Sequence, residues 1–108
     1  MIEVRVYTED NGNAPFEEWL KALKDVQGRA RIRARLARLQ AGNFGDCKPL
    51  RAGLQELRID HGPGYRVFLS RQGPVLVLLL CGSDKGEQDK AIRQALMYLE
   101  DWKKRGDV

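Results

Sequence analysis

Two cysteines and one histidine are all that this chain of 108 residues offers to a soft metal or a redox centre. Cys47 stands beside a glycine-rich loop and Cys81 ends an apolar run, which matches neither the spacing of a zinc site nor the density of a disulfide framework. Two reduced thiols are expected, with no metal and no cofactor, because a Walker loop, a dinucleotide fingerprint and a serine nucleophile elbow are also missing. Long hydrophobic runs are missing too. The longest, Val75 to Cys81, falls far short of a bilayer span, and the stretch from Met1 to Asp10 lacks the apolar centre of a signal peptide. A cytoplasmic location without membrane contact is therefore expected. With no repeat, low-complexity tract or linker, the length suits one domain over residues 1–108.

What the chain does carry is an ordinary globular balance, 43% hydrophobic and 31% charged, with an uneven distribution of its net charge of +4. Residues 1–25 hold three basic and six acidic side chains, residues 26–51 seven and one, and residues 52–108 nine and eight. Nearly all the excess lies in the middle block. Such a block suits a polyanion or an acidic protein partner, or simply a solvated helix face.

Alternation of Ile2, Val4 and Val6 with Glu3, Arg5 and Tyr7 predicts a first strand from Ile2 to Tyr7. Pro15, preceded by Asn13 as a candidate cap, opens a first helix through Phe16, Trp19, Leu20 and Leu23. After Gly28, the segment Arg29 to Ala41 sets Ile32, Leu36 and Leu39 on one stripe flanked by five arginines, with Gly42 as its C-terminal cap. These two helices form an antiparallel hairpin. Strands at Leu54 to Asp60, Tyr65 to Arg71 and Val75 to Cys81, with short connections, form an antiparallel meander. From Lys85 onward Ile92, Ala95, Leu96, Leu99 and Trp102 recur at helical spacing. The expected fold is α+β in the order βααβββα, a helical hairpin and a C-terminal helix layered on one face of an antiparallel-rich sheet.

Register points to chemistry. If Leu57 and Ile59 face the core together with Tyr65, Val67 and Leu69, then Ile59 pairs with Tyr65, Leu57 with Val67, and Arg58 lies opposite Arg66. Like charges directly across a ladder are unfavourable unless neutralised. Either an anion such as a phosphate neutralises them, making the pair a clamp, or Glu56 and Asp60 do so internally. Asp84 and Lys85, at the mouth of the sheet, suit proton transfer or phosphate contact, or else a helix cap and an exposed lysine. His61, before a Gly-Pro-Gly turn, is either a general acid or base, or incidental to the turn.

Four strings in one order, Gly42-Asn-Phe-Gly-Asp-Cys-Lys-Pro-Leu50, Glu56-Leu-Arg-Ile59, Gly62-Pro-Gly-Tyr-Arg-Val-Phe68 and Leu78-Leu-Leu-Cys-Gly-Ser-Asp-Lys-Gly-Glu-Gln88, resemble the HigB-like branch of the RelE/ParE superfamily of toxins across essentially the whole chain. The resemblance implies a RelE-like fold and the toxin of a type II toxin-antitoxin module, a ribosome-dependent mRNA endoribonuclease acting without a metal. In that chemistry the 2′-hydroxyl attacks the adjacent phosphate, and the site must stabilise a phosphorane and move two protons. Arg66 falls where such toxins place a phosphate-stabilising arginine, with Arg58 as its neighbour. Lys85 falls near the family's basic residue after the last strand, and Asp84 and His61 are further candidates for proton transfer. Arg31, Arg35 and Arg38, with Lys48 beyond the loop, are the expected contacts to RNA on the ribosome. The implied partners are the ribosome with its mRNA and a cognate antitoxin, a HigA-like helix-turn-helix protein.

The pattern departs from RelE-type nucleases at Leu54 and Glu56, which stand where those enzymes place strand lysines. It departs again in having no tyrosine at the start of the last helix, since Tyr98 lies well along it. Two other functions stay open within the superfamily: ParE-like inhibition of DNA gyrase, and a non-catalytic module that only binds its antitoxin.

Overall fold

The computed structural model describes residues 1–106, as an α+β fold with a five-stranded mixed sheet. In chain order it contains β1 (Glu3–Val6), α1 (Pro15–Ala22), α2 (Val26–Gln40), β2 (Cys47–Pro49), β3 (Leu54–Ile59), β4 (Tyr65–Arg71), β5 (Leu76–Asp84) and α3 (Gln88–Lys104). The sheet order is β1-β5-β4-β3-β2. β1 runs parallel to β5 and every other pair is antiparallel.

Helices cover both faces of this sheet, not the one face expected from the sequence. Val77 and Leu79 of β5 pack with Phe16, Leu20, Ile32 and Leu39 of α1 and α2. Leu78 and Leu80, pointing the other way, pack with Ala91, Ala95, Leu99 and Trp102 of α3. The reason is legible in hindsight: Leu76 to Cys81 has no polar residue at alternate positions, and an unbroken apolar strand buries two faces. β5 is the last strand of the expected meander, lies between β1 and β4, and is covered by both layers. Opposite Phe68 and Leu69 it carries a bulge at Leu80, so that Leu80 and Cys81 in succession both face α3. β5 then continues three residues beyond its expected end, to Asp84.

Local chemistry sets the other boundaries. α2 starts at Val26 rather than Arg29, because the Asp25 carboxylate accepts the Gly28 N–H at 2.9 Å and caps the helix. Gly28 therefore lies inside the helix. A Cβ there would stand 2.7 Å from both Asp25 and the Tyr65 ring, so close approach demands glycine. The cap expected from Asn13 does not form. Ala14 occupies that position without a side-chain bond, and Asn13 instead donates its N–H to the Asn11 side chain at 2.9 Å. Gly42 follows the last turn of α2 at φ +95°, as a helix-terminating glycine should. β2 was not expected, being three residues long with a proline that only an edge strand accepts.

Candidate functional site

The β3–β4 register is the one expected: Ile59 with Tyr65, Leu57 with Val67, and Arg58 with Arg66. Leu57, Ile59, Tyr65 and Val67 turn into the core beneath α1 and α2, which leaves the two arginines on the opposite face, near the end of the hairpin. There the turn Gly62–Gly64 and the end of β5 enclose a cleft of about 510 Å³, whose charged lining is Asp46, Arg58, Asp60, Arg66 and Lys85. Three cations therefore converge on one opening. A separate hollow of about 360 Å³ between α1, α2 and β1 has a floor of Val4, Val6, Phe16, Leu20, Leu36 and Leu79, and holds none of the expected catalytic residues.

The like charges at 58 and 66 are neutralised internally, although by partners only half expected. Arg66 Nη1 donates to Glu56 Oε2 at 3.0 Å. Glu56 is 1% exposed, and its other oxygen accepts from Gln88 Nε2 of α3 at 2.6 Å. Asp60 bonds neither arginine among the described residues; Arg58 is taken instead by Asp46, whose Oδ1 accepts from Nε at 3.1 Å and Nη2 at 2.8 Å. That hydrogen bond pushes the Arg58 guanidinium up from its ordinary pKa. Asp46 is where it is because the chain pairs there: Arg58 N–H donates to the Asp46 carbonyl at 2.9 Å, directly before β2 begins. Its loop is pinned by Arg35, which donates Nη2 to the Phe44 carbonyl at 3.0 Å, and by Arg71, whose guanidinium lies 4.3 Å from the Phe44 ring centre.

The two arginines are thus inequivalent. A guanidinium offers a carboxylate or phosphate its best two-pronged grip along the Nε and Nη2 edge. On Arg58 that edge is occupied by Asp46. On Arg66 the acid takes Nη1, and Nε is buried without an acceptor. Arg66 therefore keeps only Nη2 without a protein partner among the described residues and outside the buried part of its guanidinium, with Arg58 and Lys85 beside it on the cleft wall. Lys85 is exposed and ion-pairs with no described residue.

The other expected site residues divide. Asp84 is a cap: its Oδ1 accepts the N–H groups of Gly86 and Glu87 at 2.9 and 3.2 Å, fixing a single 3₁₀ turn at Lys85–Glu87 before α3 begins at Gln88. His61 does not line the cleft. Its Nε2 lies 3.6 Å from Asp25 Oδ2, which also accepts the Tyr65 hydroxyl at 2.9 Å. The Gly28 N–H, then the Tyr65 hydroxyl, hold the Asp25 carboxyl below its ordinary pKa. On α2, Arg31 and Arg38 are exposed, whereas Arg35 spends its guanidinium on the carbonyls of Arg58, Phe44 and Asp46. Arg35 is thus a structural strut, and burial lowers its pKa. Arg31 and Arg38 line a hollow of about 390 Å³ that shares Ile59 and Asp60 with the cleft. Lys48 is exposed on edge strand β2, opposite Glu56.

Asp46 is the part of the cleft that sequence reasoning passed over, whereas Asp60, expected as an internal partner of the arginines, and the Gly62–Gly64 turn line it. Only the placement of β2 could have flagged Asp46, by putting it across from Arg58. Among the described residues no group of three or more His, Cys, Asp or Glu is placed to hold a metal ion, and no helix is long and apolar enough to cross a membrane.

A protein of Haemophilus influenzae described as uncharacterized is 54% identical to this chain over 86 residues, covering 80% of this chain and 87% of the relative. The chain belongs to that protein's family. No protein-family model matches it.

Proposed function

We propose that this protein is a HigB-like toxin of the RelE/ParE superfamily, a ribosome-dependent endoribonuclease that cleaves mRNA without a metal and is held in check by a helix-turn-helix antitoxin. The observation that carries this reading is the convergence of Arg66, Arg58 and Lys85 on one cleft, with Arg66 held at Nη1 by the buried Glu56 carboxylate. In-line attack of a 2′-hydroxyl builds charge on the phosphate's non-bridging oxygens, and donors fixed in advance at that position lower the barrier most. Arg66 is fixed in advance by a buried carboxylate. Lys85, free and at the rim, supplies a second cation to the leaving side and is the best-placed proton donor of the residues singled out from sequence. Lys85 is preferred to Asp84 and His61 for that role, since Asp84 caps the 3₁₀ turn and His61 lies beside Asp25 and away from the cleft lining.

The cleft and the hollow beside Arg31 and Arg38 share Ile59 and Asp60 as lining, which supports a nucleic-acid backbone or ribosomal RNA passing from the cleft along α2. The lining contributes no exposed aromatic ring, so this stretch would hold phosphates rather than stack bases.

The decisive experiment adds purified protein to ribosomes translating a defined mRNA and maps cleavage by primer extension. Cleavage within the ribosomal A site by the wild type, lost in Arg66→Ala and reduced in Lys85→Ala, is the expected result. Intact mRNA in the presence of folded wild-type protein would transfer the reading to gyrase inhibition or antitoxin binding alone.

A further inference from the structure

Glu56 stands out among the side chains that this mechanism leaves without a role: a carboxylate 1% exposed in the middle of a sheet face, where the related nucleases are expected to carry a basic residue. A buried carboxylate invites a reading as general base. The geometry speaks against it, since Oε2 is occupied by Arg66 at 3.0 Å and Oε1 by Gln88 at 2.6 Å, and the side chain is only 2% exposed. Neither oxygen is available to a substrate proton.

We propose that Glu56 is a positioning residue, which anchors the Nη1 corner of Arg66 and thereby leaves its Nη2, unpartnered among the described residues, to one phosphate. This inference rests on the cleft being the RNA site, and it adds a second party, the C-terminal helix, because Gln88 in the first turn of α3 completes the carboxylate's hydrogen bonding. Three elements therefore meet on one acid: β3 supplies it, β4 supplies the arginine, and α3 supplies the amide. A guanidinium is a rotor on a flexible stem, and its two-pronged grip needs the plane set beforehand. Removing one partner of a buried pair leaves the other uncompensated. The rest of the Arg66 side chain is packed as well: its Nε is buried, and the side chain as a whole is 14% exposed.

The test compares wild type with Glu56→Gln, Gln88→Ala and Arg66→Ala, all below their unfolding temperatures. Each is titrated with a short single-stranded RNA whose 2′-hydroxyls are methylated so that it cannot be cleaved. Glu56→Gln should weaken binding about tenfold and lower the dependence of log Kd on log salt by about 0.7, the signature of one lost phosphate contact on a single strand. It should do so to the same extent as Arg66→Ala, while Gln88→Ala moves both in the same direction by less. A lowered unfolding temperature with unchanged affinity and salt slope in Glu56→Gln would overturn the proposal, because a merely structural acid would behave in that way. The Arg66 Nε–H signal in nitrogen-15 spectra, assigned from Arg66→Ala, gives a reading that needs no RNA. In wild type it should be resolved and slow to exchange, and in Glu56→Gln it should merge with the mobile arginines; persistence unchanged would also overturn the proposal. Wild-type protein that binds no RNA, with the signal resolved in wild type and lost in Glu56→Gln, would refute the functional reading and leave the anchoring role of Glu56 standing.

Discussion

Gly82 offers the sharpest test of how α1 is seated on the sheet that carries the cleft. It lies in β5 opposite Val67 and is not one of the glycines with positive φ, so its backbone would accept any residue. The obstacle is Trp19. A Cβ at position 82 would stand 2.2 Å from Trp19 Cε3 and 2.4 Å from Cζ3, where an ordinary contact begins near 3.4 Å. In Gly82→Ala the ring must retreat by more than an ångström, and in moving it disturbs its aromatic neighbours. It meets the Tyr65 ring edge-on at a centroid distance of 6.1 Å, and Phe16 packs on its other side, also at 6.1 Å. Overpacking of this kind costs about 1–3 kcal/mol, offset by roughly 0.4–1 kcal/mol from the stiffer unfolded chain. A net loss of ~1–2 kcal/mol should lower the unfolding temperature by about 5–15 °C in a domain of this size. Differential scanning calorimetry measures it, and urea titration with an unchanged slope would show that the compactness of the two states is the same. The double variant Trp19→Leu with Gly82→Ala should be more stable than the sum of the two single losses by about 1 kcal/mol, since the smaller side chain vacates the clash. A Gly82→Ala protein that melts within a degree of wild type, or a double variant that is simply additive, would refute this account of the α1–β5 contact.

Three further outcomes follow from the site. Asp46→Asn should tighten binding of uncleavable single-stranded RNA by about two- to fivefold, because the exposed Asp46 carboxylate competes for the two-pronged edge of Arg58; equal or weaker binding in a titration at low salt would show that Asp46 orients Arg58 for the ligand instead. Arg31→Glu with Arg38→Glu should lower the salt dependence of RNA binding, or of ribosome binding, by about 0.7–0.9 for each lost phosphate contact while leaving the unfolding temperature within a degree or two; an unchanged slope would confine the anion site to the cleft. Acid titration should reveal Asp25: a carboxyl held below its ordinary value of 3.8 in the folded chain stabilises the fold above that pH, and the contribution is lost as pH falls through the depressed folded value. Unfolding curves of Asp25→Asn should accordingly be flatter than wild type below about pH 4, whereas parallel curves would show that the Gly28 and Tyr65 hydrogen bonds do not discriminate between the charged and neutral acid.

The class of the fold, the order of its main elements and the register of the β3–β4 hairpin are legible in the residues alone. These are matters of period: alternate apolar residues can face one core in only one register, and Ile59 with Tyr65 and Leu57 with Val67 satisfies it. With that register Arg58 had to meet Arg66, so the heart of the candidate site was legible before any coordinates. The tertiary structure decided everything that depends on partners distant along the chain. β2 is too short to have a period of its own and exists because β3 offers it an edge, and without β2 nothing in the sequence placed Asp46 on Arg58. The second apolar layer followed from the unbroken run in β5, a signal of two buried faces that the one-layer reading did not use. Arg31, Arg35 and Arg38 share one composition and one helix, yet Arg35 alone reaches the carbonyls of the Asp46 loop and the end of β3 and becomes a strut. Asp84 and His61, the weaker candidates for proton transfer from sequence, are engaged by the backbone N–H groups of the 3₁₀ turn and by the Asp25 carboxylate, partners that only the fold brings to them. Residue type and spacing say which chemistry a chain can afford, while the hydrogen-bond partner that reaches a side chain first decides which member of a set of equals remains free to act.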